Sequence, residues 1–181
     1  YGSYQLPYMY LRYLMWNFAG RYNDRQGYGS PQNGQFVTGI PPLARLLVGT
    51  GARPPESLHT RGHNVYFLLP LLLGLLGTVA LADDRRMFWV VMTLFLMGGV
   101  VLNFYLNHPC YEPRERDYAY ILSFYAFCIF IAAGACWLVQ QALLVRRRQL
   151  RRLTALAAAL LLLAVPALMA CQNWDDHDRS R

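Results

Sequence analysis

The chain has 181 residues, 55% of them hydrophobic, and a formal net charge of +7 carried by seventeen arginines and no lysine. Apolar stretches of about 20 residues are the length that spans a bilayer, so an ordinary soluble domain is excluded as the default. The charge is scattered or set beside those stretches rather than gathered into a stripe that follows a phosphodiester backbone, which argues against a nucleic-acid partner.

In the opening residues, Leu6, Met9, Tyr10, Tyr13, Leu14 and Trp16 to Phe18 recur at near-helical spacing, with Gly20 placed to end the helix. Its tyrosines, Trp16 and Arg12 suit an interfacial helix at headgroup depth, while a helix packed against partners or the end of a preceding membrane helix is the alternative. From Gln26 to Pro55 the chain is rich in Gly, Pro, Asn and Thr and predicts a structured outer loop. That loop has a short helix from Leu43 to Val48 after Pro41-Pro42, and strand character only near Phe36 to Thr38.

Four apolar runs follow, Asn64 to Ala82, Met87 to Leu106, Ala119 to Val139 and Leu153 to Cys171, none containing Asp, Glu, Lys, Arg or His. Each predicts a membrane-spanning helix. The expected fold is therefore an all-α polytopic membrane protein: four transmembrane helices over residues 64–171, an interfacial helix and loop over 1–63, and the start of a tail over 172–181. Gly74, Gly77, Gly98, Gly99 and the patch around Gly134 remove side-chain bulk where helices approach. Pro70 falls near a helix start, and Pro166 falls deep in the last run, where it predicts a kink. The chain starts at Tyr1 without a methionine or a signal peptide, so an internal piece of a longer polypeptide is expected.

Arg146, Arg147, Arg148, Arg151 and Arg152 form a loop without acids, which the positive-inside rule makes cytoplasmic. Counting crossings from it puts 83–86 and 140–152 inside and 1–63, 107–118 and 172–181 outside. The six arginines against two acids in the first 63 residues run against the rule, which long segments obey poorly.

Two charged clusters border these runs. In Arg114-Glu115-Arg116-Asp117-Tyr118, arginine forks suit a phosphate at lipid-headgroup depth, with Glu115, Asp117 and Tyr118 placed to orient them. Pairing of the arginines with their own neighbours or with lipid is the alternative. In Asn173-Trp174-Asp175-Asp176-His177-Asp178-Arg179, carboxylates and an imidazole have the atoms for a divalent metal or for acid/base work. Neighbours on one backbone cannot all converge, so the alternative is a solvated acidic tail anchored by Trp174. His59, His63 and His108 read as interfacial hydrogen-bonding groups. No CxxC pair supports a cysteine-metal site, and no metal ligand set is assigned.

These clusters, with Tyr8-Met9-Tyr10-Leu11-Arg12-Tyr13-Leu14-Met15-Trp16-Asn17-Phe18-Ala19-Gly20-Arg21 and Asn23-Asp24, resemble a family of large bacterial inner-membrane proteins. That family was long catalogued as a domain of unknown function, and it is similar to protein O-mannosyltransferases. The resemblance implies a C-type glycosyltransferase with an outward-facing site, a polyprenyl-phosphate sugar as donor and a Ser or Thr of an exported protein as acceptor. It implies Arg114 and Arg116 as donor-phosphate ligands, with Asp175, Asp176 and His177 shaping the mouth of the site. The family's catalytic aspartate is expected upstream of Tyr1, and a soluble outer domain beyond Arg181. Two other readings stand beside it: a structural or partner-binding module whose clusters only cap helices, and a transporter, disfavoured by the absence of ionisable groups inside the runs.

Overall fold

In the computed structural model, residues 4–28, 33–48, 60–109 and 114–177 are described. They are mostly helical. Helix α1 has a π-wound part, Gln5–Leu11, that runs into an α-helical part, Arg12–Phe18. The Arg12 N–H bonds the Pro7 carbonyl five residues back, the spacing that defines a π turn. Met9, Tyr10, Tyr13, Leu14, Trp16 and Phe18 are all buried. The partner-packed alternative therefore describes this helix better than a free interfacial face.

The helix ends at Ala19, and Gly20–Arg21 form β1, a two-residue strand. It pairs antiparallel with β2, Asn64–Val65, and Arg21 also bridges Phe36. Gly20 sits at φ +141, and a Cβ there would meet the Asn64 carbonyl oxygen at 2.5 Å, so the pairing needs glycine. The loop helix is present as α2, Pro41–Val48, opened by the prolines whose fixed φ suits a first turn.

The first apolar run departs from expectation. Only Leu69–Leu81, α3, is helical, for 13 residues, or about 20 Å. Asn64 and Val65 are drawn into β2, and Phe67 and Leu68 adopt positive φ of 53 and 61, which breaks the helix before Pro70 can begin it. Helix α4 runs Arg85–Leu106, with the Asp84 carboxylate capping it by accepting the Met87 N–H at 3.1 Å. Helix α5 runs Asp117–Leu143, and α6 runs Arg148–His177 with Pro166 inside it. Three helices, not four, are thus long and apolar enough by themselves to cross a membrane: Arg85–Leu106, Asp117–Leu143 and Arg148–Trp174. The last helix also outruns its apolar stretch at both ends, so the first residues of the expected tail are helical through His177.

The core forms where glycines let backbones meet. A Cβ on Gly77 would strike the Phe130 carbonyl, and one on Gly134 would strike the Leu73 carbonyl, so α3 lies directly against α5. In α4 the π-wound turn Met97–Val101 contains Gly98 and Gly99, which admit Leu122 and the Tyr10 ring. Phe18, Val91, Ala126, Phe127 and Phe130 fill one cluster, and Met9, Tyr10, Tyr13, Trp16 and Tyr120 fill the next.

Candidate functional site

Loops and helix ends from five parts of the chain gather at one end of the bundle. Gln5 donates to the His108 carbonyl at 2.8 Å, and Asn103 donates to the Gln5 carbonyl at 2.7 Å while accepting the Tyr120 hydroxyl at 2.6 Å. These bonds hold α1 to the last turn of α4 and the first of α5. On the other side, Asn64 donates to the Asn173 amide oxygen at 3.0 Å, Asn173 donates to the Tyr66 hydroxyl at 2.6 Å, and the Val65 N–H bonds Gln172. Those bonds hold the end of α6 to β2. Both expected clusters therefore meet at the same end.

Between them lies a cavity of about 550 Å³ lined by Trp16, Asn17, Arg21, Asn64, Tyr66, Asp117, Met169, Ala170 and Asn173. That volume falls in the range of small-ligand sites. Asp117 comes from the first cluster and Asn173 from the second, so one wall of each faces a shared space. Among the described residues the Asp117 carboxylate has no hydrogen-bond or ion-pair partner. Trp16 is 5% exposed, and its indole N–H has no hydrogen-bond acceptor. The guanidinium of Arg21 sits 5.3 Å from the Trp16 ring, a cation–π distance. The cavity thus offers an anion, a cation, an aromatic surface and several amides, the set that orients a polar, hydroxylated ligand.

The arginine that lines the cavity is Arg21, not Arg114 or Arg116. Arg114 is exposed and borders a narrow crevice with Tyr4, Tyr8, Tyr28 and Glu115. Arg116 is half-buried, and its N–H donates to the Tyr13 hydroxyl at 3.1 Å. Glu115 does not orient either neighbour: its carboxylate takes the Arg12 guanidinium at 2.7 Å, the Tyr13 hydroxyl and the Gly27 N–H at 3.3 Å. Tyr118 is 63% exposed and Trp174 71%, consistent with rims rather than walls. The backbone of Asp175, Asp176 and His177 continues α6, while Asp178, Arg179 and His59 lie outside the described residues. His63 hydrogen-bonds the Tyr22 carbonyl at 2.8 Å, as an interfacial histidine would. Among the described residues no group of three His, Cys, Asp or Glu could hold a metal.

Sequence reasoning missed Arg12, Asn17, Arg21, Asn64 and Tyr66 as site residues. The available signal was that Arg12 and Arg21 flank an aromatic run, since a charge set among aromatic residues is partnered or functional when buried.

Burial raises the Tyr13 phenol well above the ordinary tyrosine range, with the Arg12 charge opposing and the Glu115 hydrogen bond adding to the rise. The Tyr13 hydroxyl therefore stays a donor to Glu115.

The fold and site define a mostly helical protein with apolar helices of membrane-crossing length and a polar cavity at one end of the bundle. No family model, curated protein or solved structure matches the chain.

Proposed function

We propose that this chain is part of a bacterial inner-membrane C-type glycosyltransferase that moves a sugar, mannose in the nearest reading, from a polyprenyl-phosphate donor to Ser or Thr of exported proteins. The chain crosses the membrane four times, α3 finishing short where β2 and the cavity replace its first turns. The arginine block 146–152 lies inside, and the cavity end faces out. The observation that carries this reading is the cavity shared by Asp117 and Asn173, because a transferase must hold donor and acceptor in one space. Arg21 at the wall and Arg116 beside it supply the cationic groups that a lipid-linked phosphate needs at headgroup depth. The resemblance of the two clusters to the mannosyltransferase-like family supplies the reaction class.

The test is transfer from a polyprenyl-phosphate sugar to an exported peptide by the full-length protein. Arg116→Ala is expected to lower donor kcat/KM about tenfold or more with its unfolding midpoint little changed. Loss of expression with normal donor use in the surviving protein would overturn the reading.

A second reading, a non-catalytic structural or partner-binding module, is favoured by one observation: Glu115 is already consumed by Arg12, as a helix-capping charge would be. It predicts that substituting Arg21, Arg116 and Asp117 together leaves transfer unchanged.

A further inference from the structure

The Arg12–Glu115 ion pair is the only one among the described residues, and it joins positions 103 apart in the chain. Arg12 is 2% exposed and Glu115 15%. Each arm of the guanidinium goes to a different segment: Nε to the Tyr8 carbonyl at 2.9 Å, Nη1 to the Gly34 carbonyl, and Nη2 to Glu115. Its faces rest on the rings of Tyr8, Tyr13 and Trp16, at 4.1, 4.4 and 4.8 Å from their centroids. The Tyr13 hydroxyl donates to the Glu115 carboxylate and accepts the Arg116 N–H, so two consecutive residues are tied to α1 through one oxygen. Asp117 follows at once, opens α5 and lines the cavity. On the opposite side of the same guanidinium, Trp16 lines that cavity as well.

A buried ion pair is a poor way to gain stability, because desolvation offsets most of the attraction and a well-packed apolar pair does as well. What it provides is one geometry. A hydrophobic contact tolerates sliding, whereas a forked donor with three fixed acceptors does not.

We infer that Arg12, with Tyr13 and Glu115, is a positioning device that sets two walls of the cavity, Trp16 directly and the Asp117 carboxylate through Glu115. Neither Arg12 nor Glu115 lines the cavity; both act through residues that do. The inference rests on reading the cavity as the substrate site, which the Proposed function supplies.

The experiment has two arms in the full-length protein. In a cysteine-free background carrying Asp117→Cys, the alkylation rate of that thiol by a small impermeant maleimide reports local opening. Adding Glu115→Gln is expected to raise the rate at least about threefold, and Tyr13→Phe, a milder change that keeps the ring, to raise it less. Equal rates in all three backgrounds overturn the inference; should Glu115→Gln fail to fold, Tyr13→Phe decides it alone.

In the transfer assay, Glu115→Gln is expected to lower kcat about tenfold with donor KM within about twofold, and to add nothing on top of Asp117→Asn. Additive losses overturn it, since they would mean Glu115 acts independently of Asp117. If the parent transfers no sugar at all, the proposed reaction fails while the alkylation arm still decides the positioning role.

Discussion

Helices α1 and α6 are built from opposite logic. Helix α1 is short, interrupted by Pro7 and rich in phenols and amides, yet Tyr10 and Tyr13 are each only 1% exposed. Helix α6 reaches 30 residues and is dominated by Leu and Ala, yet only 6% of its apolar window is buried. In water the second would be the better core element. In a bilayer, lipid is as apolar as leucine, so hydrophobic length marks what crosses, and small residues, aromatics and satisfied polar groups mark what packs. The site sits where the packing kind of sequence is concentrated.

The sharpest way to break the packed region is to fill its closest backbone approach. Gly134→Ala places a methyl against the Leu73 carbonyl, and backbone cannot swing aside as a side-chain tip can. The expected loss is about 3 kcal/mol, near the upper end of overpacking costs, with α3 displaced from α5. Unfolding by a denaturing detergent measures it, and a change below about 1 kcal/mol would show that the two helices separate easily.

A smaller effect concerns the Tyr10 phenol. Ser123 Oγ donates to the Phe95 carbonyl at 2.9 Å, so the Tyr10 hydroxyl is the donor in its 2.6 Å bond to Ser123. Burial pushes this phenol up to about 12, with the Ser123 hydrogen bond pulling the other way. A free tyrosine in the unfolded chain ionises near 10, so stability is level below that pH and falls as pH rises from 10 toward about 12. The slope from this one group approaches about 1.4 kcal/mol per pH unit. Tyr10→Phe should lower stability about 1 kcal/mol at neutral pH and make the alkaline fall shallower. Thermal midpoints of both proteins, taken below and above pH 10, decide it; parallel alkaline falls would mean Tyr10 already ionises freely.

The same contrast explains what could be read in advance. The three long helices were legible because an apolar run with no charge leaves few other structures. The loop helix was legible from Pro41-Pro42, and the close approaches from Gly77, Gly98 and Gly134. Chain order also placed the two clusters at one end, where the cavity now joins Asp117 to Asn173. The Arg12–Glu115 pair was not legible, because nothing in either neighbourhood encodes a partner 103 positions away. Nor was the truncation of the first apolar run at Leu69, since a two-residue strand at Asn64 and Val65 carries no periodicity. Polar residues of modest type, Asn17, Asn64 and Tyr66, became site walls only through tertiary contact.

The weakest expected effect tests the other half of the comparison. Leu156 and Leu160 are 58% and 59% exposed on α6, so in lipid each loses little by truncation. Leu156→Ala and Leu160→Ala should each change unfolding in lipid bilayers by less than about 0.5 kcal/mol, as exposed sites do. Leu73 faces α5 and is 8% exposed. Leu73→Ala there should cost about 2 kcal/mol or more through the cavity it leaves. If the α6 substitutions proved as costly as Leu73→Ala, that face of α6 would have a protein neighbour in the assembled molecule, and low burial in this chain would reflect a missing partner rather than lipid exposure.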